Sequence, residues 1–137
     1  MSNVVVVGAG AAGMMAAIAA SRNNNNVIIL EKNEKAGKKI YITGKGRCNV
    51  TNDCDADTFF ENVVTNPKFL YSAFYGFDNK KLCELIEDNG CKLKVERGNR
   101  VFPVSDHSSD IIRALLNELK KNNVKIQYNE CVTDLLI

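Results

Sequence analysis

The fold is decided by residues 4–13, VVVVGAGAAG, which lie almost at the start of the chain. The four β-branched residues before the first glycine predict a strand buried on both faces, as in a parallel sheet. Gly8, Gly10 and Gly13 have the spacing G-x-G-x-x-G, and residues 11–21, rich in alanine and methionine, predict a helix. A glycine motif between a strand and a helix is typical of a turn that binds phosphate groups.

Each residue of this motif has its own predicted role. Gly8 permits the tight turn, Gly10 lets the backbone come close to a pyrophosphate, and Gly13 allows the helix to pack closely on the strand. Ala11 and Ala12 are small enough to leave that face of the helix open. The start of the helix then directs free N–H groups and the positive end of its dipole toward a phosphate.

A second apolar run, VIIL at residues 27–30, predicts another strand, which ends on Glu31. Strand, helix and strand over residues 4–31 have the size of a βαβ unit. An acid about 18 residues after Gly13 can accept hydrogen bonds from both ribose hydroxyls and would repel a 2′-phosphate. We therefore expect a bound dinucleotide, and these residues leave FAD and NAD both open. The simpler alternative is a tight turn that binds no nucleotide.

Residues 32–57 are dense in glycine, lysine, asparagine and threonine and show no helical or alternating period, which predicts a long ordered loop. Its glycines would let main-chain amides approach a ligand, and its basic side chains could oppose phosphate charge. The alternative is a basic loop that only faces solvent. The residues concerned are Gly37, Gly44, Gly46, Lys38, Lys39 and Arg47.

Residues 58–107 predict a small helical and β-hairpin insertion. Asn66-Pro67 begins one helix, in which Phe69, Leu70, Ala73 and Phe74 would form an apolar face, and a second helix runs over residues 79–89. Residues 92–96 and 100–104 flank a glycine-containing turn and predict a hairpin.

A helix and a third sheet strand are predicted over residues 108–132. Ser105 or Ser108 would cap the helix, and residues 124–128 would form the strand. The fold class is therefore α/β, a Rossmann-like domain with a parallel sheet within one unit of residues 1–137. Because the chain ends on apolar residues 135–137, we expect a truncated chain whose sheet is incomplete.

Composition limits the function classes. With 18 Lys and Arg against 16 Asp and Glu, the formal charge of +2 is too small to predict a nucleic-acid partner. The apolar run at residues 4–20 is broken by glycines and too short to span a membrane. Five cysteines without CxxC spacing indicate reduced thiols, a cytoplasmic location and no metal site.

Three segments together resemble the HI0933-like flavoproteins, the group that includes BaiN-type and aminoacetone-oxidase-type FAD proteins. They are Glu31-Lys32-Asn33 with Gly37-Lys38-Lys39, the run TGKGRCNVTN at residues 43–52, and GNRVFPVS at residues 98–105. The resemblance implies a bound FAD whose ADP half lies on the glycine motif and Glu31, with residues 43–49 near the flavin. It also implies a main-chain contact from Val132 to adenine, and a substrate domain that is absent from these 137 residues. The residues so assigned to the cofactor are Gly8, Gly10, Ala11, Ala12, Gly13, Glu31, Lys32, Gly37, Lys38, Lys39, Thr43, Gly44, Gly46, Arg47, Cys48, Asn49 and Val132.

The function implied by the resemblance is that of an FAD-dependent oxidoreductase. Electron pairs would pass through the flavin to an unknown small organic substrate, with NAD(P)H as a candidate electron donor. The alternatives are an NAD-binding dehydrogenase fragment and a non-catalytic, truncated nucleotide-binding product that holds FAD loosely. No catalytic residue is assigned, because we interpret Cys48 as a packing residue and His107 as a surface residue.

Overall fold

The computed structural model describes residues 1–136, which form six strands and six α-helices. The strands are β1 (Asn3–Val7), β2 (Asn26–Glu31), β3 (Thr51–Asn52), β4 (Leu93–Glu96), β5 (Arg100–Pro103) and β6 (Lys125–Tyr128). The helices are α1 (Ala11–Ser21), α2 (Lys38–Ile42), α3 (Ala56–Glu61), α4 (Tyr71–Gly76), α5 (Asn79–Asp88) and α6 (Ser108–Lys121). Short 3-10 turns at Thr43–Gly46 and Pro67–Leu70 follow α2 and precede α4.

The first sheet is parallel and has the order β1-β2-β6. Val5 lies opposite Ile28 across the first pair of strands, and Ile29 lies opposite Ile126 across the second pair. The predicted βαβ unit and its third parallel strand are both confirmed, and with them the Rossmann-like α/β class.

One prediction about β1 is wrong. Val5 is 58% exposed and Val7 is 61% exposed, whereas Val4 and Val6 on the other face pack against the core. The strand is therefore covered on one face only, and it lies at an edge of the described sheet. A β-branched run indicates strand preference, but the number of layers that cover a strand depends on elements elsewhere in the chain.

The second sheet is antiparallel, with the order β3-β5-β4. It confirms the predicted hairpin, since Val95 lies opposite Val101. β3 belongs to the same sheet. It pairs with the other edge of β5, where Thr51 lies opposite Val101.

The loop predicted over residues 32–57 is wrong in part, because it contains α2, a 3-10 turn, β3 and the first residues of α3. A five-residue helix is too short to show a period, and tertiary contacts hold this one. The Ser108 hydroxyl donates to the Tyr41 carbonyl in α2 at 2.9 Å, so Ser108 is buried as the first residue of α6. Neither it nor Ser105 caps that helix; His107 is the N-cap residue and makes no side-chain capping bond.

The apolar face predicted after Asn66 is also only partly correct. Phe74 is buried, but Phe69 is 79% exposed because it lies in the 3-10 turn before α4, where the periodicity differs. By contrast, the helix predicted over residues 79–89 is confirmed as α5, and its N-cap residue Asp78 accepts from the Lys81 N–H through its side chain.

The core lies between the covered face of the parallel sheet and helices α1, α5 and α6. Glu118 in α6 ties these helices together: its carboxylate accepts from Arg22 at 2.5 Å and from Asn89 at 3.0 Å. The largest fully buried apolar side chains include Met14, Ile18, Ile29, Ile86 and Leu119.

Within residues 1–136, no helix has both the length and the apolar character needed to cross a bilayer.

Candidate functional site

A cavity of about 480 Å³ lies where β1 and β2 end and α1 begins. Ala9 and Gly10 follow β1, Glu31 and Asn33 lie at the end of β2, and all four line the cavity. The carboxyl ends of neighbouring parallel strands are where open α/β sheets bind their ligands. The cavity is therefore the candidate site.

The glycine turn, defined as residues 8–13, has the geometry that its sequence predicts. Gly8 has a φ of +97°, which favours glycine, and its N–H donates to the Leu30 carbonyl at 2.8 Å. A Cβ added to Gly13 would lie 1.9 Å from the Gly8 carbonyl oxygen. The helix therefore approaches the strand so closely that no side chain fits at this position.

The mouth of α1 is open at the turn. A Cβ on Gly10 would meet nothing within 4 Å. The helical hydrogen bonds begin with the Met14 N–H, which donates to the Gly10 carbonyl at 2.9 Å, so the amides of Ala11, Ala12 and Gly13 precede the first of them. Gly10 and Ala11 line the cavity. The donors and the space around them fit a diphosphate group.

Glu31 points toward the glycine turn. Its side-chain Oε2 accepts from the Ala9 N–H at 2.7 Å, and Oε1 accepts from the Asn33 main-chain N–H at 2.8 Å and from the Asn33 Nδ2 at 2.6 Å. Burial acts to raise the pKa of Glu31, but these hydrogen bonds outweigh it, and the pKa lies below its usual value. The carboxylate is therefore ionised at neutral pH although the residue is only 6% exposed.

Asn33 was not singled out from the sequence, although it lines the cavity and donates twice to Glu31. Its position two residues after Glu31 was a sequence signal, because asparagine commonly hydrogen-bonds to neighbours two residues away in a turn. Sequence spacing alone did not distinguish it from the solvent-facing asparagines that are frequent in this chain.

The residues after β2 return to the glycine turn. Gly37 donates its N–H to the Ala9 carbonyl at 2.9 Å, and a Cβ on Gly37 would lie 2.9 Å from Ile112. Lys38 and Lys39, at the start of α2, line the cavity, and Lys38 also forms an ion pair of 3.1 Å with Glu34. Lys32 is exposed and lies outside the lining.

The basic turn, defined as residues 43–49, contributes to the same cavity. Thr43, Cys48 and Asn49 line it, whereas Gly44 and Gly46 do not. The turn is closed by the Cys48 N–H, which donates to the Thr43 carbonyl at 3.1 Å.

Arg47 lies outside the cavity lining. Its Nη2 lies 2.5 Å from Glu96 and 2.6 Å from Asp106, and its guanidinium carbon lies 4.3 Å from the centre of the Phe102 ring. The hydrogen bonds that Arg47 donates to Glu96 and Asp106 raise the pKa of Arg47 above its ordinary value. In this structure the guanidinium therefore anchors the basic turn to β4, β5 and the turn before α6, and its charge is not directed into the cavity.

Cys48 is buried and has a φ of +59°. Burial raises the pKa of its thiol, and a hydrogen bond with Thr43 offsets this only in part. A thiol with a raised pKa is protonated at neutral pH and a poor nucleophile, which fits packing better than redox chemistry. All five cysteines are free thiols.

Val132 lies four residues beyond the end of β6 and is exposed. The segment before it is fixed beside Glu31, because Glu130 donates its N–H to the Glu31 carbonyl at 2.9 Å and Asn129 donates to the Asn33 carbonyl at 3.2 Å.

His107 is exposed at the start of α6 and does not line the cavity. Among residues 1–136, no group of three or more His, Cys, Asp or Glu side chains is arranged to hold a metal ion.

The parallel sheet, the open glycine turn and the ionised acid at the next strand tip define a class of protein, the dinucleotide-binding domains of the Rossmann type. Residues 2–137 match the HI0933-like protein Rossmann domain family. The chain belongs to this family.

Two relatives share parts of this sequence. The chain is 36% identical over 98 residues to the 3-dehydro-bile acid delta(4,6)-reductase of Clostridium scindens, an alignment that covers 71% of this chain and 23% of that protein. It is 29% identical over 122 residues to the ribosomal RNA dihydrouridine synthase of Escherichia coli, covering 89% of this chain and 30% of that protein. The matched segments thus span less than a third of either relative.

Among solved structures, the fold is similar to that of the 3-ketosteroid-delta4-(5alpha)-dehydrogenase of Rhodococcus jostii RHA1. The TM-score is 0.65 at 15% sequence identity, over 91% of this chain and 37% of that one. At this identity the likeness establishes the shared fold.

Proposed function

We propose that this chain binds FAD and belongs to an oxidoreductase that transfers electron pairs through the flavin. The observation that carries the proposal is the ionised Glu31 carboxylate, which is held against the glycine turn at the edge of a cavity of about 480 Å³. An acid in this position suits a ribose with two free hydroxyls, and the open start of α1 suits a diphosphate.

The proposed roles follow from the contacts of each residue. The amides of Gly10, Ala11 and Ala12 would donate to the diphosphate, and Glu31 would accept from the ribose of the adenosine half. Val132 would offer a main-chain contact to the adenine, because its segment is fixed beside Glu31. The carboxylate also disfavours NADP, since a 2′-phosphate would lie against a like charge.

The apolar part of the cavity lining supports FAD over NAD. The lining also includes apolar side chains, among them Val50, Ile86 and Leu115. Such a surface suits a large planar ring and excludes water from it. The flavin, when bound, supplies the electron-transfer chemistry. Within this chain, Lys38 and Lys39 would add positive charge beside the diphosphate, and Lys32 would add it at longer range.

The substrate class is proposed from the relatives. Both of their names describe the addition of hydrogen to a carbon–carbon double bond, one in a bile acid and one in a uridine of ribosomal RNA. We propose the same type of two-electron reduction for the protein to which this chain belongs, with NAD(P)H as the candidate donor. The five free thiols support a cytoplasmic site of action.

The test is a calorimetric titration of the purified 137-residue chain with FAD, NAD and ADP. We expect FAD to bind more tightly than NAD, and ADP to bind through the adenosine half alone. Glu31→Gln should weaken all three by about 10- to 100-fold, because its amide would face the N–H donors of Ala9 and Asn33. Glu84→Gln, an exposed substitution with the same charge change, is the matched control and should have no effect.

Two results would contradict the proposal. Tighter binding of NAD than of FAD would indicate an NAD-dependent dehydrogenase. Failure to bind FAD or ADP would indicate that the glycines serve only to tighten the turn.

A further inference from the structure

We propose that Asn33 recognises the ribose diol together with Glu31: its side-chain NH2 fixes the carboxylate, and its side-chain carbonyl accepts one of the two hydroxyls. This inference rests on the proposed nucleotide binding and adds a second recognition residue to it. Three hydrogen bonds surround the Glu31 carboxylate.

These bonds leave the carboxylate with little accepting capacity. An ionised carboxylate has about four acceptor positions, two on each oxygen. The main-chain N–H and the Nδ2 of Asn33 both donate to Oε1, at 2.8 and 2.6 Å, and the Ala9 N–H donates to Oε2 at 2.7 Å. One position on Oε2 therefore remains, which is enough for one hydroxyl but not for the two hydroxyls of a ribose.

The side chain of Asn33 offers the missing acceptor. Because an ionised carboxylate only accepts hydrogen bonds, the atom of Asn33 that faces Oε1 must be the nitrogen, and this fixes the orientation of the amide. The carbonyl oxygen Oδ1 is then the other end of the amide. The residue lines the cavity and is only partly buried, so a ligand can reach this side chain.

The backbone of Asn33 is also fixed by the segment that follows β6. Its main-chain carbonyl accepts from the Asn129 N–H at 3.2 Å, and the neighbouring Glu130 N–H donates to the Glu31 carbonyl at 2.9 Å. The segment after β6 thus fixes the backbone of both residues. Two acceptors on a rigid backbone, Oε2 of Glu31 and Oδ1 of Asn33, match two adjacent hydroxyl donors, and little conformational entropy is lost on binding.

The experiment combines substitutions in the protein with deletions in the ligand. ADP, 2′-deoxy-ADP and 3′-deoxy-ADP are titrated into the wild-type chain, Asn33→Ala and Asn33→Asp. For Asn33→Ala we expect ADP to bind about 10-fold more weakly, as expected for the loss of one hydrogen bond and of the carboxylate's support. For the deoxynucleotide that lacks the hydroxyl bound by Oδ1, the substitution should have a much smaller effect, because that bond is already absent.

Asn33→Asp is the second variant. It keeps an acceptor but loses the donor and brings a second negative charge against Glu31, so it should bind every nucleotide more weakly than Asn33→Ala does. Asn24→Asp, an exposed substitution with the same charge change in the turn after α1, is the control and should bind as the wild type does. Thermal unfolding of each variant, followed by circular dichroism, establishes that the chains compared are folded.

The outcomes separate the two proposals. If the wild type binds ADP and Asn33→Ala weakens all three nucleotides by the same factor, Asn33 is only structural and this inference is wrong, while the proposed function stands. Wild-type affinity for ADP in Asn33→Asp would also overturn it. A wild-type chain that binds no ADP overturns the proposed function, and the role of Asn33 with it.

Discussion

The glycine turn and the basic turn line the same cavity, but different interactions hold them. The glycine turn is fixed by backbone geometry and by Glu31, which lies 22 positions from its partner Ala9. The basic turn is fixed by Arg47, whose carboxylate partners Glu96 and Asp106 lie 49 and 59 positions away. The first turn can therefore form as soon as the βαβ unit folds, whereas the second also requires the hairpin and the turn before α6.

The two turns would also contact different halves of the proposed cofactor. The glycine turn and Glu31 would bind the adenosine diphosphate half, which FAD and ADP share. The basic turn would lie beside the flavin, which only FAD contains. Changes in the two turns should therefore affect FAD and ADP differently.

The largest effect is expected at Gly13. In Gly13→Ala the new Cβ would lie 1.9 Å from the Gly8 carbonyl oxygen, and a backbone atom cannot be relieved by a change of rotamer. We expect a loss of roughly 2–4 kcal/mol in the free energy of unfolding, measured by urea denaturation, and no detectable binding of ADP or FAD.

Gly10→Ala is the matched control for Gly13→Ala. Its Cβ meets nothing within 4 Å, so stability should change little, while nucleotide affinity falls because the methyl group occupies the space for the diphosphate. Equal stability of the two variants would contradict the close approach of α1 to β1.

A smaller and more selective effect is expected at Arg47. Glu96 and Asp106 share two basic partners, Arg47 and Lys94, and Arg47→Ala removes the one that belongs to the basic turn. It should weaken FAD binding by about 10-fold while leaving ADP binding unchanged. Arg47→Lys should lose less, because lysine keeps the charge but cannot make the forked bonds of the guanidinium. Titration calorimetry with both ligands measures this selectivity.

Arg113→Ala provides the control for Arg47→Ala, because within residues 1–136 Arg113 forms an ion pair with Asp110 of the same helix and with no other acid. It should bind both ligands as the wild type does. An equal loss of ADP and FAD affinity in Arg47→Ala would show instead that Arg47 acts on the diphosphate.

The smallest effect is expected from pH. Hydrogen bonds from Arg47 lower the pKa of Glu96, and those from Lys94 and Arg47 lower the pKa of Asp106. Their stabilising contribution is thus fully present above the ordinary carboxyl values of about 4. It is lost as the pH falls through the lowered values of the folded protein. Salt should reduce it too, because both carboxylates are partly exposed.

Amide hydrogen exchange measures this difference between the turns. After correction for the intrinsic effect of pH, the amides of Arg47 and Cys48 should lose protection on acidification before that of Gly8 does. Loss of protection in both turns at the same pH would show that they open together.

The contrast between the two turns also explains which features could be predicted from the sequence. The glycine turn, Glu31, the parallel strands and the hairpin were predicted because each depends on sterics or alternation within a few residues. The helix in residues 38–42 was missed because it is held by Ser108 of α6. The direction of Arg47 was not predicted, because a basic side chain in a glycine-rich loop has the same sequence signal whether it meets a phosphate or two distant carboxylates.

The sequence by itself determined that a strand, a glycine turn, a helix and an acid-tipped strand follow one another, because only glycine tolerates the turn and only a short segment is involved. The tertiary structure decided which side chains reach the cavity. It turned Arg47 toward Glu96, Asp106 and Phe102, set Asn33 against Glu31, and left one face of β1 uncovered. These outcomes depend on which partner a group meets in space, and residues far along the chain supply many of those partners.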